Sequence, residues 1–163
     1  MNGYAEIEMS LRDNDGSCRD INFLAPSWDG LAELLTELTQ TFAVSSAEDH
    51  NGSVIAQVQS EALVGAARAG HVRMLLKSGN SLFKTLQVYS GAGRDGTPFI
   101  EMSFFPEDLI PTADLAPIFV QWVESMRTRV HASEYYVRYE NASWRLGDIG
   151  PRSGVFCSSA LPT

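Results

Sequence analysis

VRMLLKSGNSLFKTLQVYSGAGRDGTPFIEMSFF, residues 72 to 105, decides the fold because it holds three strand-like runs in close succession. Short runs rich in β-branched and aromatic residues, bounded by glycine-containing turns, are typical of consecutive antiparallel strands. We therefore predict a hairpin meander in this stretch and assign the rest of the chain around it. The three predicted strands are Val72–Lys77, Ser81–Ser90 and Pro98–Phe105, and the turns between them are residues 78–80 and 91–96.

Two other segments have the periodicity of amphipathic helices. The first helix is predicted from Trp28 to Phe42, with Ser27 as its N-cap. The second is predicted from Leu115 to Val130, with Asp114 as its cap. The predicted buried stripes are Leu31, Leu34, Leu35, Leu38 and Phe42 in the first helix and Leu115, Phe119, Trp122, Val123, Met126 and Val130 in the second.

The remaining elements complete the prediction of the fold class. Alternation of apolar and polar residues predicts strands at Tyr4–Leu11, Ser53–Gln59, 135–140 and 154–158, whereas 45–53 reads as a polar loop. Strands and helices do not alternate regularly along the chain. We therefore expect an α+β fold, a mainly antiparallel sheet with two amphipathic helices packed on one face. The length of 163 residues fits a single domain, 1–163.

The composition narrows the class of protein. The chain has 12 Lys and Arg against 20 Asp and Glu, for a formal net charge of −8. This balance argues against binding to nucleic-acid phosphates. No apolar run approaches the about 20 residues of a membrane span, and the first residues lack the pattern of a secretory leader. We expect a cytoplasmic protein without nucleic-acid or membrane partners, in which Cys18 and Cys157 are buried or idle thiols.

Two motifs match part of a ligand-binding signature, but the residues around each motif do not fit that kind of site. The sequence GAGRDG at 91–96 matches GxGxxG, but a strand-like segment follows where a dinucleotide site needs a helix. We interpret it as a hairpin loop. Residues 13–16, DNDG, resemble the start of a calcium loop, yet the glycine is misplaced and Leu24 stands where a glutamate is required. We predict no cofactor and no metal site, and leave open a weak surface calcium site.

The three histidines, His50, His71 and His131, carry the alternative function. None lies in the spacing of a zinc site, and the sequence contains neither a nucleophile elbow nor a phosphate loop. The alternative is a small α+β enzyme or ligand-binding domain with a pocket between sheet and helices. In such a site a histidine would lie within hydrogen-bond reach of a carboxylate.

Charge is distributed unevenly along the chain. Between Arg19 and Arg68 there are acidic residues but no Lys or Arg. On the first predicted helix Asp29, Glu33 and Glu37 are spaced i, i+4, i+8 and form one row, which costs about a few tenths of a kcal/mol per like-charge pair. Such a row is either a solvated face that aids solubility or a surface that steers and docks a basic partner.

Two segments, FFPEDL at 104–109 and YVRYENASW at 136–144, and the small, acidic α+β chain as a whole have a recognisable general character. In this character the chain resembles the immunity proteins of bacterial toxin systems. The resemblance implies a protein that binds a cognate toxin domain, often a basic nuclease, and blocks it.

We therefore predict a non-enzymatic immunity protein that occludes the active site of a basic toxin domain through an acidic surface. Trp28 is the predicted aromatic anchor of this contact. A homodimer formed through an exposed edge strand or an apolar patch is a third interpretation. The predicted partner-binding residues are Trp28, Asp29, Glu33, Glu37, Glu48 and Asp49.

Overall fold

The computed structural model describes residues 3–77, 79, 82–140 and 144–160. Within these ranges the helices are α1 Tyr4–Arg12, α2 Trp28–Thr41, α3 Ser60–Ala69 and α4 Leu115–Arg129, with a 3₁₀ turn at Pro106–Asp108. The strands are β1 Arg19–Leu24, β2 Ala43–Asp49, β3 His71–Lys77, β4 Thr85–Ala92, β5 Pro98–Phe104, β6 Glu134–Tyr139 and β7 Val155–Ser158. The fold class is α+β, as predicted.

The described strands form one seven-stranded sheet in the order β2-β3-β4-β5-β1-β6-β7, with antiparallel neighbours throughout. The predicted meander is confirmed, because β3, β4 and β5 follow one another in the chain and in the sheet. The glycine motif at 91–96 forms the β4–β5 hairpin, where Gly96 has a φ of +77° that glycine tolerates best. The predicted turn at 78–80 lies outside the described residues except for Gly79.

One side of the sheet supplies the core. The buried residues Met74, Val88, Met102, Ile21 and Val137 lie opposite one another across five strands. They join the buried residues of the helices in a single cluster. Because side chains alternate along a strand, the residues between them point to the other side of the sheet. That side, the polar face, carries the cross-strand row Arg73, Tyr89, Glu101, Asn22 and Tyr136.

The strand predicted at Tyr4–Leu11 was wrong, because this segment is the helix α1. Its two buried residues are Ile7 and Leu11, which are four residues apart and so share one face of a helix. Met9, which an alternating strand would bury with them, is 67% exposed. The segment fits both periodicities, and burial of the helical pair decided the outcome.

The prediction between α2 and β3 also needs correction. The segment read as a polar loop contains most of β2, an edge strand in which only Ala47 is buried. The strand predicted at Ser53–Gln59 is limited to an isolated bridge between Glu48 and Val54. The alanine-rich segment that follows forms α3. The described residues therefore contain four helices, where two were expected.

The helices pack against one another as well as on the sheet. The helix α2 contacts both α3 and α4, and α4 also contacts α1. Both predicted helices are confirmed, and the Ser27 cap is confirmed by a 2.9 Å hydrogen bond from the Gly30 N–H to its Oγ. Asp114 precedes α4 but makes no side-chain cap bond. No helix in the described ranges has the length and apolar character needed to cross a bilayer.

Candidate partner-binding surface

The acidic row of α2 faces away from the core. The four leucines of the predicted buried stripe on this helix are at most 1% exposed. On the other side Asp29 and Glu33 are exposed, and Glu37 is half-buried. The geometry predicted for the row is therefore present, with three carboxylates on successive turns of one helix.

The row is not free of cations, because the end of α4 approaches it. Arg129 Nη2 lies 2.8 Å from Glu37 Oε2, and His131 Nε2, which is a cation only when the imidazole is protonated, lies 3.7 Å from Glu33 Oε1. Both pairs remain well exposed, so each contributes at most about 1 kcal/mol. These partners come from a segment about a hundred residues away, which spacing within α2 does not reveal. Asp29 and Glu33 remain the more available carboxylates of the row.

The start of α2 and the end of α4 meet at a polar junction. Ser27 Oγ lies 2.7 Å from His131 Nδ1, and the Ser27 N–H donates to the Val130 carbonyl at 3.1 Å. His131 holds a φ of +58°, in the left-handed region. Ser27, His131 and Glu33 thus stand in series, but on the exposed helix surface rather than in the pocket between sheet and helices that the enzyme alternative requires.

Trp28 is engaged within the chain. Its indole Nε1 donates to the Gly96 carbonyl at 3.2 Å, and the Arg68 guanidinium carbon lies 4.2 Å from the centroid of its ring. The half-buried indole thereby ties α2 to the β4–β5 hairpin and to α3. Only the remaining exposed edge of the ring is available to a partner.

Glu48 and Asp49 do not lie in a loop beside the row. Glu48 is exposed on β2 opposite Arg73, so it belongs to the polar face, on the other side of the sheet from the core. The Asp49 carboxylate accepts the backbone N–H groups of Asn51 and Ser53, and these bonds hold its pKa below the ordinary value. The sheet therefore separates Glu48 from the row on α2, and the Asp49 carboxylate is held by the turn that follows β2.

Two grooves flank the ridge of α2, and Ala32 lines both. The groove toward α4 has a volume of about 320 Å³ and contains Glu33 and Glu37 of the acidic row. The groove toward α3 has a volume of about 350 Å³. The first groove is lined by Ala32, Glu33, Thr36, Glu37, Gln40 and Arg129, and the second by Ala32, Ser60, Glu61, Val64, Gly65 and Arg68. The α2 surface is thus ridged, a shape that can accept protruding side chains.

The polar face carries a hydrogen-bonded cluster that the sequence analysis missed. Asp20 accepts from Ser103 Oγ at 2.8 Å and pairs with Arg138 at 3.0 Å. Asn22 donates to Glu101 at 2.7 Å and accepts from Arg138 at 3.3 Å. The only signal in the sequence was the polar pair Asp20 and Asn22 within an otherwise apolar segment, because the other members come from distant strands.

Glu101 gives this cluster a pH dependence that can be measured. Burial raises the pKa of its carboxyl above the ordinary value, and the bond from Asn22 offsets part of that effect. The folded chain then takes up this proton at a higher pH than the unfolded chain, so the ionised form opposes folding. We expect Glu101→Gln to be more stable than the wild type at pH 8. Its advantage in the free energy of unfolding should shrink as pH falls through the raised pKa.

Urea unfolding of both proteins between pH 8 and pH 4 checks this expectation. Glu107→Gln is the matched control, because Glu107 is exposed. Its difference from the wild type in the free energy of unfolding should not grow with pH as that of Glu101→Gln does. A Glu101→Gln protein that is less stable at pH 8 would show that the carboxylate stabilises the fold.

The other histidines lie together near the edge of the sheet. The rings of His50 and His71 are 6.3 Å apart between centroids, and His71 contacts Tyr89 edge-to-face at 5.1 Å. In the described part of the chain no group of three or more His, Cys, Asp or Glu side chains is placed to hold a metal ion. Cys18 and Cys157 are buried free thiols, as predicted.

The fold and this surface together define an α+β protein with a seven-stranded antiparallel sheet and an exposed acidic helix. The chain is similar to a chain in the crystal structure of the toxic C-terminal tip of CdiA from Pseudomonas aeruginosa in complex with immune protein. The TM-score is 0.56 at 12% sequence identity, over 77% of this chain and 87% of that chain. At this identity the likeness shows the fold alone.

No family model and no curated protein matches the chain. This fold occurs in a complex of a toxin tip with immune protein, which is consistent with the resemblance to immunity proteins of bacterial toxin systems.

Proposed function

We propose that this chain is an immunity protein, which binds a cognate bacterial toxin domain and inhibits it. The observation that carries the proposal is the occurrence of this fold in a complex between a toxin tip and its immune protein. Of the two roles in such a complex, the immune role suits an acidic chain whose candidate site is an exposed helix ridge.

The acidic ridge of α2 supports a basic toxin domain as the partner. Complementary fields raise association rates by about 10- to 10³-fold, and their reach at physiological salt is about 8 Å. Asp29 and Glu33 supply this field from a rigid helix whose other side is fixed in the core. Inhibition then follows from occlusion, because the α2 ridge covers the catalytic surface of the toxin domain that docks on it. A nuclease fits this scheme, since its active site must attract phosphates.

The proposed inhibitor acts by binding and not by chemistry. Ser27 and His131 are in contact, but Ser27 Oγ also accepts the Gly30 N–H as the helix cap, and the junction lies open to solvent. The role of Ser27 and His131 is then to join α2 to α4. A binder inhibits in proportion to its occupancy, whereas an enzyme acting on the toxin turns over.

Stoichiometry tests the proposed function directly. The probe is the C-terminal domain encoded by the reading frame adjacent to that of this chain, purified and assayed for toxicity. We expect a stable one-to-one complex, restored growth of cells that co-express the two proteins, and a titration of toxic activity that ends at one equivalent. Absence of a complex and of growth protection would overturn the proposal, and inhibition by catalytic amounts would favour the enzyme alternative.

Charge reversal tests the proposed surface. We expect Asp29→Lys combined with Glu33→Lys to slow association with the toxin domain by about tenfold at low salt and to flatten its salt dependence. Glu37 is left in place because it pairs with Arg129. Stopped-flow or biolayer kinetics at several salt concentrations provide the measurement.

The matched control for the charge reversal is Glu6→Lys combined with Glu107→Lys. Both residues are exposed and lie outside α2, and the change in net charge is the same. If both double variants slow association equally, net charge and not the α2 row sets the rate.

A further inference from the structure

We propose that the groove between α2 and α3 receives a lysine or arginine side chain of the toxin domain. This inference rests on the proposed function and adds a subsite to it. The groove is lined by Ala32, Ser60, Glu61, Val64, Gly65 and Arg68. It shares Ala32 with the groove that holds Glu33 and Glu37, so one partner on the α2 ridge can reach both.

Gly65 indicates that space is kept for an outside group. It lies inside α3, where glycine is among the least favourable residues. Apart from the two adjacent residues and the backbone of its own helix, no described atom lies within 4 Å of the position that a Cβ would take. By contrast, Gly30 in α2 is required, since a Cβ there would come within 2.4 Å of the Val130 carbonyl group. The packing of the free chain thus explains Gly30 but gives no reason for Gly65.

The lining of the groove favours a long cationic side chain. Ala32, Val64 and Gly65 offer apolar surface for an aliphatic stem, and Glu61 offers a carboxylate for its charged head. Among the described residues no ion pair reaches Glu61, whereas Arg68 is stacked on Trp28. Glu61 and Arg68 are seven residues apart, about 10 Å along the helix, so the head group lies toward Glu61.

Filling the groove tests the inference without disrupting the fold. Gly65→Leu adds a side chain where the chain leaves open space, and leucine favours the helix, so the melting temperature should rise by about 2 to 4 °C. We expect the Kd for the purified toxin domain to increase at least about tenfold. Glu61→Gln, which removes the counter-charge without adding bulk, should raise Kd by about three- to tenfold and reduce its salt dependence.

Two control variants separate the groove from the helix. Ala62→Leu adds the same bulk to an exposed position of α3 that does not line the groove and should leave Kd unchanged, and Gly65→Ala should change it only slightly. Wild-type affinity in a folded Gly65→Leu protein would overturn the subsite while the immunity function stands. Failure of the wild-type chain to bind the domain would overturn both.

Discussion

Replacement of Arg19 with alanine is expected to lower the free energy of unfolding by about 3 to 5 kcal/mol, because it removes a buried side chain together with its hydrogen bonds to several acceptors. The side chain of Arg19 is fully buried. Its guanidinium donates to the carbonyl groups of Ser10 and Ser17 at 3.1 and 3.0 Å, to the Asp13 carbonyl, and to the Asp15 carboxylate at 3.1 Å. Alanine leaves these acceptors without their donor.

The loss is large because Arg19 joins three parts of the fold. Its acceptors lie at the end of α1 and in the turn before β1, and its guanidinium carbon lies 4.0 Å from the centroid of the Tyr139 ring on β6. A single guanidinium therefore holds the first helix against the sheet. Lysine cannot replace it, because a single ammonium group does not reproduce the planar fork of donors.

Urea unfolding measures this effect, and Arg12→Ala is the matched control. Arg12 is exposed and forms an i, i+4 pair with Glu8, so its removal is expected to cost below about 1 kcal/mol. If the two variants lose the same free energy of unfolding, Arg19 contributes no more to stability than an exposed charge does. The slope of unfolding with urea should stay constant, which keeps the comparison to stability alone.

Arg19 also shows a limit of prediction from the sequence. A basic residue at the start of a strand reads as a surface charge, and nothing local indicates that six acceptors converge on it from residues 10 to 18. By contrast, the meander and the helices α2 and α4 could be predicted. Their stripes are long, and their turns carry glycine or a cap, so local pattern and tertiary packing agree.

The errors arose where the local pattern was ambiguous. In α1 the apolar residues fit both a strand and a helix, and its contacts with α4, β7 and the 3₁₀ turn select the helix. The edge strand β2 is held by backbone pairing with β3 and buries almost nothing, so it carries no alternation to detect. Helix α3 is short and rich in alanine. Each of these elements depends on partners that are distant in the chain.

The candidate site was predictable to a similar extent. Helical spacing correctly places Asp29, Glu33 and Glu37 in one row, because that geometry belongs to a single helix. Spacing does not show that α4 brings Arg129 to Glu37, or that strand pairing carries Glu48 to the polar face. Charge rows can be read from a sequence, whereas their compensation is a tertiary property. The charge-reversal variant therefore changes Asp29 and Glu33 and keeps Glu37.

A second large loss is expected for Gly30→Ala, about 3 kcal/mol, at the contact between α2 and α4. A Cβ at Gly30 would lie 2.3 Å from the Val130 carbonyl oxygen and 2.9 Å from its Cα. These are backbone atoms, which cannot turn aside as a flexible side chain does. The two helices must separate, and the bond from the Ser27 N–H to the Val130 carbonyl is then stretched or lost.

The matched control for Gly30→Ala is the same substitution at Gly65. Alanine in a helix interior is favoured over glycine by about 0.5 to 1 kcal/mol, and Gly65 has no neighbour to obstruct the methyl group. We therefore expect Gly30→Ala to lower the thermal midpoint and Gly65→Ala to raise it, as calorimetry of the two proteins can measure. If both substitutions raise the thermal midpoint, α2 and α4 can move apart at no cost in stability. In that case the junction of Ser27 with His131 is too soft to hold the acidic row in a fixed position.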